Sequence, residues 1–240
     1  MIKAVLFDLD GTLLPMNDDE FISTYFKLLC NKLSCLEYEP NKLTQTILKG
    51  TYVMMQNNGS KTNEQAFWDY FVSVYGEEKL KDIPFFDSFY TNEFKKVKSI
   101  CKENDKAKDL ILFCKNNFDF VILATSPVFP KCAVLTRMDF INLKEEDFNL
   151  ITTYEDFHYA KPNPNYFLEI LNKFNLKPEE AIMFGNSELE DLYAATNAGI
   201  KTYLVGDDIV KDNKNTYTYT PIKFDDIRNI LIKEKSNSKI

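Results

Sequence analysis

The chain opens on a continuous apolar run, KAVLFDL, at residues 3–9. Rich in β-forming residues and without polar alternation, it predicts a strand buried on both faces of a parallel sheet. DGT follows as a turn. From about residue 17 to 100 the pattern changes to helical spacing. EFISTYFKLLCNKL places Phe21, Tyr25, Leu28 and Leu29 on one face. Pro40 and Asn41 start a second helix through LTQTILKGTYVMM, which NNG stops. Thr62 and Gln65 form a capping box for NEQAFWDYFVSVY, which ends at Gly76. Nothing in this segment alternates with the period of a strand.

Beyond about residue 105 short apolar runs alternate with helical patterns. AKDLILFCKNN reads as a helix, FVILA as a strand, FPKCAVLTRM as a helix and LITT as a short strand. NPNYFLEILNKF is again helical, AIMF a strand, LEDLYAATNAG a helix ending at Gly199, and KTYLVG a last strand. Such alternation implies an α/β fold, a parallel sheet with helices on both faces. The opening strand belongs to that sheet. The helical segment is then an insertion after strand one that folds as a cap. The polar ending KEKSNSKI reads as a fraying tail.

Length and charge narrow the function. At 240 residues the chain can build one large core plus a smaller unit. A net charge of −7 argues against nucleic acid as a partner, because phosphate backbones need clustered Lys and Arg. The arginines are Arg137 and Arg228 alone, so phosphate recognition must lean on Lys, backbone N–H groups or metal. Five cysteines without a C-x-x-C pair suit reduced thiols in the cytoplasm. The first apolar run is too short for a signal peptide, and no stretch approaches the ~20 apolar residues of a membrane span. No residue pattern specifies an oligomeric state.

A single histidine, His158, excludes a multi-histidine metal site and a two-histidine phosphatase. Cys132 and Arg137 stand one residue short of the C-x5-R of a cysteine phosphatase, and no P-loop is present.

Ligands of open parallel sheets bind at the carboxyl ends of strands. Four such ends carry polar groups here: Asp8 and Asp10, Thr125 and Ser126, Lys161, and Asn186 with Asp191. Asp10-Gly11 alone would read as a turn. Four polar ends in one sheet instead gather two carboxylates, a hydroxyl, an ammonium and further oxygen donors around one crevice. Ser126 also fits a plain turn before Pro127, His158 a surface loop, and Glu190 a solvent-facing helix position.

FDLDGTL, ATS, KPNPNYF and FGNSELEDLYAATNAG resemble, in order and at compatible spacings, the four motifs of the haloacid dehalogenase-like (HAD) hydrolase superfamily. The resemblance covers about residues 1–16 and 105–206. The helical insertion resembles the branch of phosphoglycolate phosphatase-like and β-phosphoglucomutase-like enzymes. It implies a Rossmann-like core of residues 1–16 and 105–240, an inserted α-helical cap domain of residues 17–104, and phosphoryl transfer with Mg²⁺.

On that resemblance Asp8 attacks phosphorus and Asp10 acts as general acid and base. Thr125 holds phosphoryl oxygens with help from Ser126, and Lys161 adds positive charge and restrains Asp8. Mg²⁺ is held by the Asp8 carboxylate, the Asp10 backbone carbonyl, Asn186 and Asp191. Asn186 departs from the family pattern, which has Asp there. Its carbonyl is still a hard oxygen donor, but one negative charge is lost.

The implied function is a cytoplasmic phosphatase of a small phosphorylated metabolite, with neither nucleic acid nor membrane as partner. A phosphomutase and a non-catalytic binding protein of the same fold are the alternatives. A dehalogenase fits poorly, since those relatives lack the second acid of D-x-D.

Overall fold

The computed structural model describes residues 1–237. Strand β1 (Ala4–Phe7) leads into the helical insertion. Helix α1 (Asp18–Leu33) is capped by Asn17, whose side chain accepts the Glu20 N–H at 3.0 Å. Helix α2 (Pro40–Met55) starts at a proline, where no N–H is missed, with Glu39 accepting from the next two amides. Helix α3 (Asn63–Tyr75) carries the expected Thr62–Gln65 capping box. Helix α4 (Ile83–Thr91) and 3₁₀ turns over Glu93–Ile100 complete the insertion.

The remainder runs α5 (Lys106–Asn117), β2 (Phe120–Leu123), α6 (Lys131–Asp139), β3 (Leu150–Ile151), α7 (Pro164–Lys173), β4 (Ala181–Gly185), α8 (Ala194–Asn197), β5 (Lys201–Leu204) and α9 (Ile227–Asn237).

All five strands are parallel, in the order β3-β2-β1-β4-β5. The opening run thus becomes the central strand. It is fully buried on both faces, which is why it carries no polar alternation. Val5 and Phe7 face one side with Val121, Leu123, Ile182 and Phe184, packing on α5, α6 and α9. Ala4 and Leu6 face the other with Ile122 and Met183, packing on α7 and α8. The first of these cores continues into the insertion through Phe21, Tyr25, Phe71 and Phe89.

The chain leaves and re-enters the sheet region along one seam. Met16 pairs with Cys101, and the Lys102 N–H donates to Pro15 O at 2.8 Å. A second seam joins the start of α3 to the loops beyond β2 and β3. Asn63 N donates to Phe157 O at 2.8 Å, and Glu64 N to Tyr154 O at 2.9 Å. The Asn63 Nδ2 donates to Pro127 O at 3.0 Å and Tyr159 O at 3.3 Å.

Three expectations change in detail. LITT supplies only Leu150–Ile151 to the sheet. Thr152 turns inward instead, its Oγ1 donating to Thr125 O at 2.5 Å and to Leu123 O at 3.2 Å. The helix expected from Leu189 is a π-helix over Glu188–Tyr193 before α8 begins. The KEKSN part of the tail is helical and forms the end of α9. Lys235 Nζ donates to Asn117 O, and Glu234 bonds Lys201 at 2.6 Å. The rest of that tail, residues 238–240, lies outside the described residues. Among the described residues no helix is long and apolar enough to cross a membrane.

Candidate active site

The register of the sheet brings the polar strand ends together. Asp8 follows β1 directly, and its N–H donates to Phe184 O of the neighbouring strand at 2.9 Å. A tight loop then returns, with Gly11 N donating to Leu14 O and Leu14 N to Leu9 O, both at 2.8 Å. Gly11 sits at φ +77°, a left-handed conformation that favours glycine. A Cβ there would also lie 2.0 Å from Asn186 Nδ2. The D-x-D-G turn therefore admits Asn186 against its backbone.

Lys161 lies at the centre, 1% exposed. Its Nζ donates to Asp8 Oδ1 at 2.8 Å and to Asp191 Oδ1 at 2.6 Å. The second Asp191 oxygen accepts the Asn186 and Ser187 amides, each at 2.9 Å. This explains both Gly185 and the π-helix. A Cβ at residue 185 would meet Asp191 Cγ at 2.2 Å, so the carboxylate folds back over a bare backbone. The wider turn aims Asp191 inward from the next element. π-turns of this kind occur often at functional sites.

Thr125 is buried at the end of β2, its carbonyl receiving Thr152 Oγ1 and the Tyr166 hydroxyl at 2.9 Å. Ser126 is half-buried, and its carbonyl accepts Val128 N at 2.8 Å in the turn that follows. His158 lies elsewhere, partly exposed and hydrogen-bonded to Glu169 at 2.8 Å.

Two residues of the site were not assigned to it from the sequence. Arg137, 1% exposed on α6, donates through Nη1 to Asp10 Oδ2. Its guanidinium lies 4.6 Å from the Phe129 ring and 5.8 Å from that of Phe21. The signal was available, since Arg137 occupies the apolar face of α6 with Ala133, Val134 and Met138. A charge in such a position must find a partner. Glu190 is the other. It is partly buried among acids rather than solvent-facing, which corrects the helical reading of that segment.

The electrostatics are dominated by unbalanced negative charge. Burial pushes Asp8 well above the carboxylate range, with Asp191 and Asp10 adding to it against the pull of Lys161. Burial also raises Asp10 against Arg137, and it raises Asp18 with help from Asp10 and Asp19. Glu190 is pushed up to about 7, first by burial and then by Asp191, Asp18 and Asp10. Burial pulls Lys161 down, but Asp191 and Asp8 outweigh it and hold it above its ordinary value. Among the described residues, the cations acting on Asp8, Asp10 and Glu190 are Lys161 and Arg137, against the acids Asp18 and Asp191 beside them.

Such an excess, with the Asn186 amide and main-chain carbonyls as hard oxygen donors, fits a divalent cation such as Mg²⁺. Among the described residues no three His, Cys, Asp or Glu side chains form a metal cage by themselves. The fit therefore depends on the amide and carbonyl oxygens.

Residues 5–205 match the family described as haloacid dehalogenase-like hydrolase. The chain is 26% identical over 221 residues to a phosphoglycolate phosphatase of Aquifex aeolicus, covering 91% of this chain and 92% of that one. The fold matches the HAD phosphatase of Thermococcus onnurineus at 18% identity and a TM-score of 0.56, covering 96% and 98% of the two chains. It also matches a HAD family enzyme of Bacteroides thetaiotaomicron in complex with magnesium and inorganic phosphate. That likeness has 20% identity and a TM-score of 0.52, over 86% and 95% of the two chains. The two structural likenesses carry the fold.

Proposed function

This chain belongs to the haloacid dehalogenase-like hydrolase family, and from that premise we propose that it is a Mg²⁺-dependent phosphatase of a small phosphate monoester, working through an aspartyl-phosphate on Asp8. One observation carries the reading. Lys161 holds one oxygen of Asp8 at 2.8 Å, and Asp10 lies two residues on at the edge of a cavity under the helical insertion.

Fixing Oδ1 through Lys161 orients the Asp8 carboxylate and lets its other oxygen attack phosphorus in line. Asp10 is anchored through Oδ2 by Arg137, while its Oδ1 is buried without a partner among the described residues. That oxygen is the one suited to carry a proton to the leaving alcohol. Burial raises Asp10 and so favours the protonated form this step requires. In the second step the same carboxylate, now ionised, takes a proton from the attacking water. Thr125 and Ser126 would receive phosphoryl oxygens at the end of β2.

Mg²⁺ would be held by Asp8, the Asp10 main-chain carbonyl, Asn186 and Asp191, and when bound supplies charge neutralisation for the anionic ester. Asp191 would have to share Oδ1 with Lys161 to reach it, since Oδ2 is committed to two amides. The helical insertion then serves as the cap, and the cytoplasm suits the free thiols of all five cysteines.

Release of inorganic phosphate from 4-nitrophenyl phosphate and a panel of metabolite esters, phosphoglycolate among them, tests the reading with and without Mg²⁺. Asp8→Asn should abolish turnover and the acid-stable phosphorylated protein seen on rapid quenching. Retention of more than about a tenth of the activity would retire Asp8 as nucleophile, because loss of even one acid–base group costs ~10²–10⁴-fold.

A further inference from the structure

We propose that the cavity between the helical insertion and α6 receives the leaving group of the ester, and that it selects a neutral, flat, largely apolar group bearing one hydrogen-bond acceptor for Arg137. The proposal rests on the phosphatase reading for the word ester alone; the cavity and its chemistry stand without it.

The cavity measures about 260 Å³, and Asp10 and Arg137 are part of its wall. About half of the residues lining it are aromatic, with Phe21, Tyr25, Phe67, Trp68, Phe86 and Phe129 among them. An apolar cavity of ~150 Å³ accommodates benzene, so this one has room for a single substituted ring. The rings already pack on one another across the two parts of the chain. Phe21 and Tyr25 of α1 meet Phe129 edge-on at 6.0 and 5.7 Å. A further flat group would continue that arrangement.

The polar groups of the wall sharpen the choice. The Tyr25 and Tyr90 hydroxyls bond each other at 2.8 Å, which commits one of their two protons. Arg137 uses Nη1 for Asp10 and Nε for Ala133 O at 3.3 Å. Its Nη2 is buried and has no partner among the described residues. A buried donor of this kind is rare in a finished structure and marks a place for an acceptor.

The acceptor should be uncharged. The Arg137 charge is already matched by Asp10, and Asp18 and Asp87 line the same cavity and repel a second anion. Asp18 and Asp87 can accept two hydroxyls of a polyol, but its remaining hydroxyls would lie against ring faces without partners. A ring nitrogen or a ring carbonyl supplies the one acceptor that is wanted.

Four monoesters of primary alcohols make the comparison, so that leaving-group chemistry changes little: 3-pyridylmethyl, benzyl, glycerol and glucose 6-phosphates. The pyridylmethyl ester should exceed the two polyol esters in kcat/KM by about tenfold or more, the scale on which pockets discriminate. It should also exceed the benzyl ester. In Arg137→Lys the pyridylmethyl-to-benzyl ratio should fall towards one. Because the ratio is read within one variant, any effect through Asp10 cancels.

Should Arg137→Lys not fold, Trp68→Leu provides the second variant, expected to narrow the ring-over-polyol preference. Trp68 is also the only tryptophan of the chain. Binding of the free alcohol 3-pyridinemethanol should therefore give a saturable change in its fluorescence, with no phosphoryl chemistry involved. Equal turnover of all four esters, without a saturable change, overturns the cavity assignment and leaves the phosphatase reading standing. Saturable alcohol binding with no ester turned over does the reverse.

Discussion

Consider Lys161→Met. The wild-type protein encloses Asp8, Lys161 and Asp191 in one triad, with N–O distances of 2.8 and 2.6 Å and side-chain exposures of 11%, 1% and 1%. Methionine matches the length of the side chain but leaves two buried carboxylates facing each other. Breaking a buried pair by removing one partner costs ~3–5 kcal/mol. The lower end applies, about 3 kcal/mol, since Asp8 keeps some solvent contact.

For a chain of this size each kcal/mol moves the midpoint by ~2–4 °C, so Tm should fall by roughly 6–12 °C. The pH dependence has a definite sign. In the variant Asp8, already pushed up by burial, loses the opposing pull of Lys161, so the folded state binds more protons than the unfolded chain. Stability then falls as pH rises, and the deficit relative to wild type is larger at pH 8 than at pH 5. Thermal unfolding followed by circular dichroism in EDTA at the two pH values reads both quantities. A deficit below about 3 °C at pH 8, or one equal at both pH values, refutes the reasoning.

Three further outcomes are expected. Asn186→Asp should lower the Mg²⁺ concentration for half-maximal activity by about tenfold and Asn186→Ala should raise it, by analogy with losses on removing groups around a metal. Two variants indistinguishable from wild type would remove residue 186 from the metal. Gly185→Ala should displace Asp191, whose Cγ would lie 2.2 Å from the new Cβ, and cost about 3 kcal/mol on the buried-pair scale. An unchanged Tm would count against this account of the glycine. Glu190, held up at about 7, contributes stability at low pH that is lost as pH rises from its unfolded value through 7. Glu190→Gln should therefore flatten the metal-free stability profile between pH 5 and 7.5 by about 1–2 kcal/mol after allowance for its partial exposure. Parallel profiles for the two proteins would contradict it.

The reach of the sequence can be judged residue by residue. The central strand was legible because burial on both faces removes polar alternation, and KAVLFDL has none. The strand ends were legible because a parallel sheet points all its carboxyl ends one way. Lys161 comes to Asp8 by that geometry, although 153 residues separate them. Helical spacing misplaces Glu190 for a definite reason. Helical periodicity assumes ~3.6 residues per turn, whereas the π-helix over Glu188–Tyr193 adds a residue and shifts the phase of every later position in the helix. Arg137 is silent to periodicity, which marks apolar positions and does not register a charge on the apolar stripe. Which rings of the insertion line the cavity could not be read at all. That depends on how α1 to α4 cross, and the crossing is set by tertiary packing.

The second seam between insertion and sheet has a consequence for tempo. Asn63 and Glu64 make four hydrogen bonds to Pro127, Tyr154, Phe157 and Tyr159, on the loops beyond the carboxyl ends of β2 and β3. At ~0.5–1.5 kcal/mol each, four such bonds favour the shut form by roughly 2–6 kcal/mol. The Met16–Cys101 seam carries the chain itself, so opening of the insertion about it would first require release of the Asn63 side. A ligand that needs such opening to enter the ring-lined chamber would show an apparent affinity reduced by the fraction of time the entrance stands open. Release of those four bonds would then set the tempo of entry and exit.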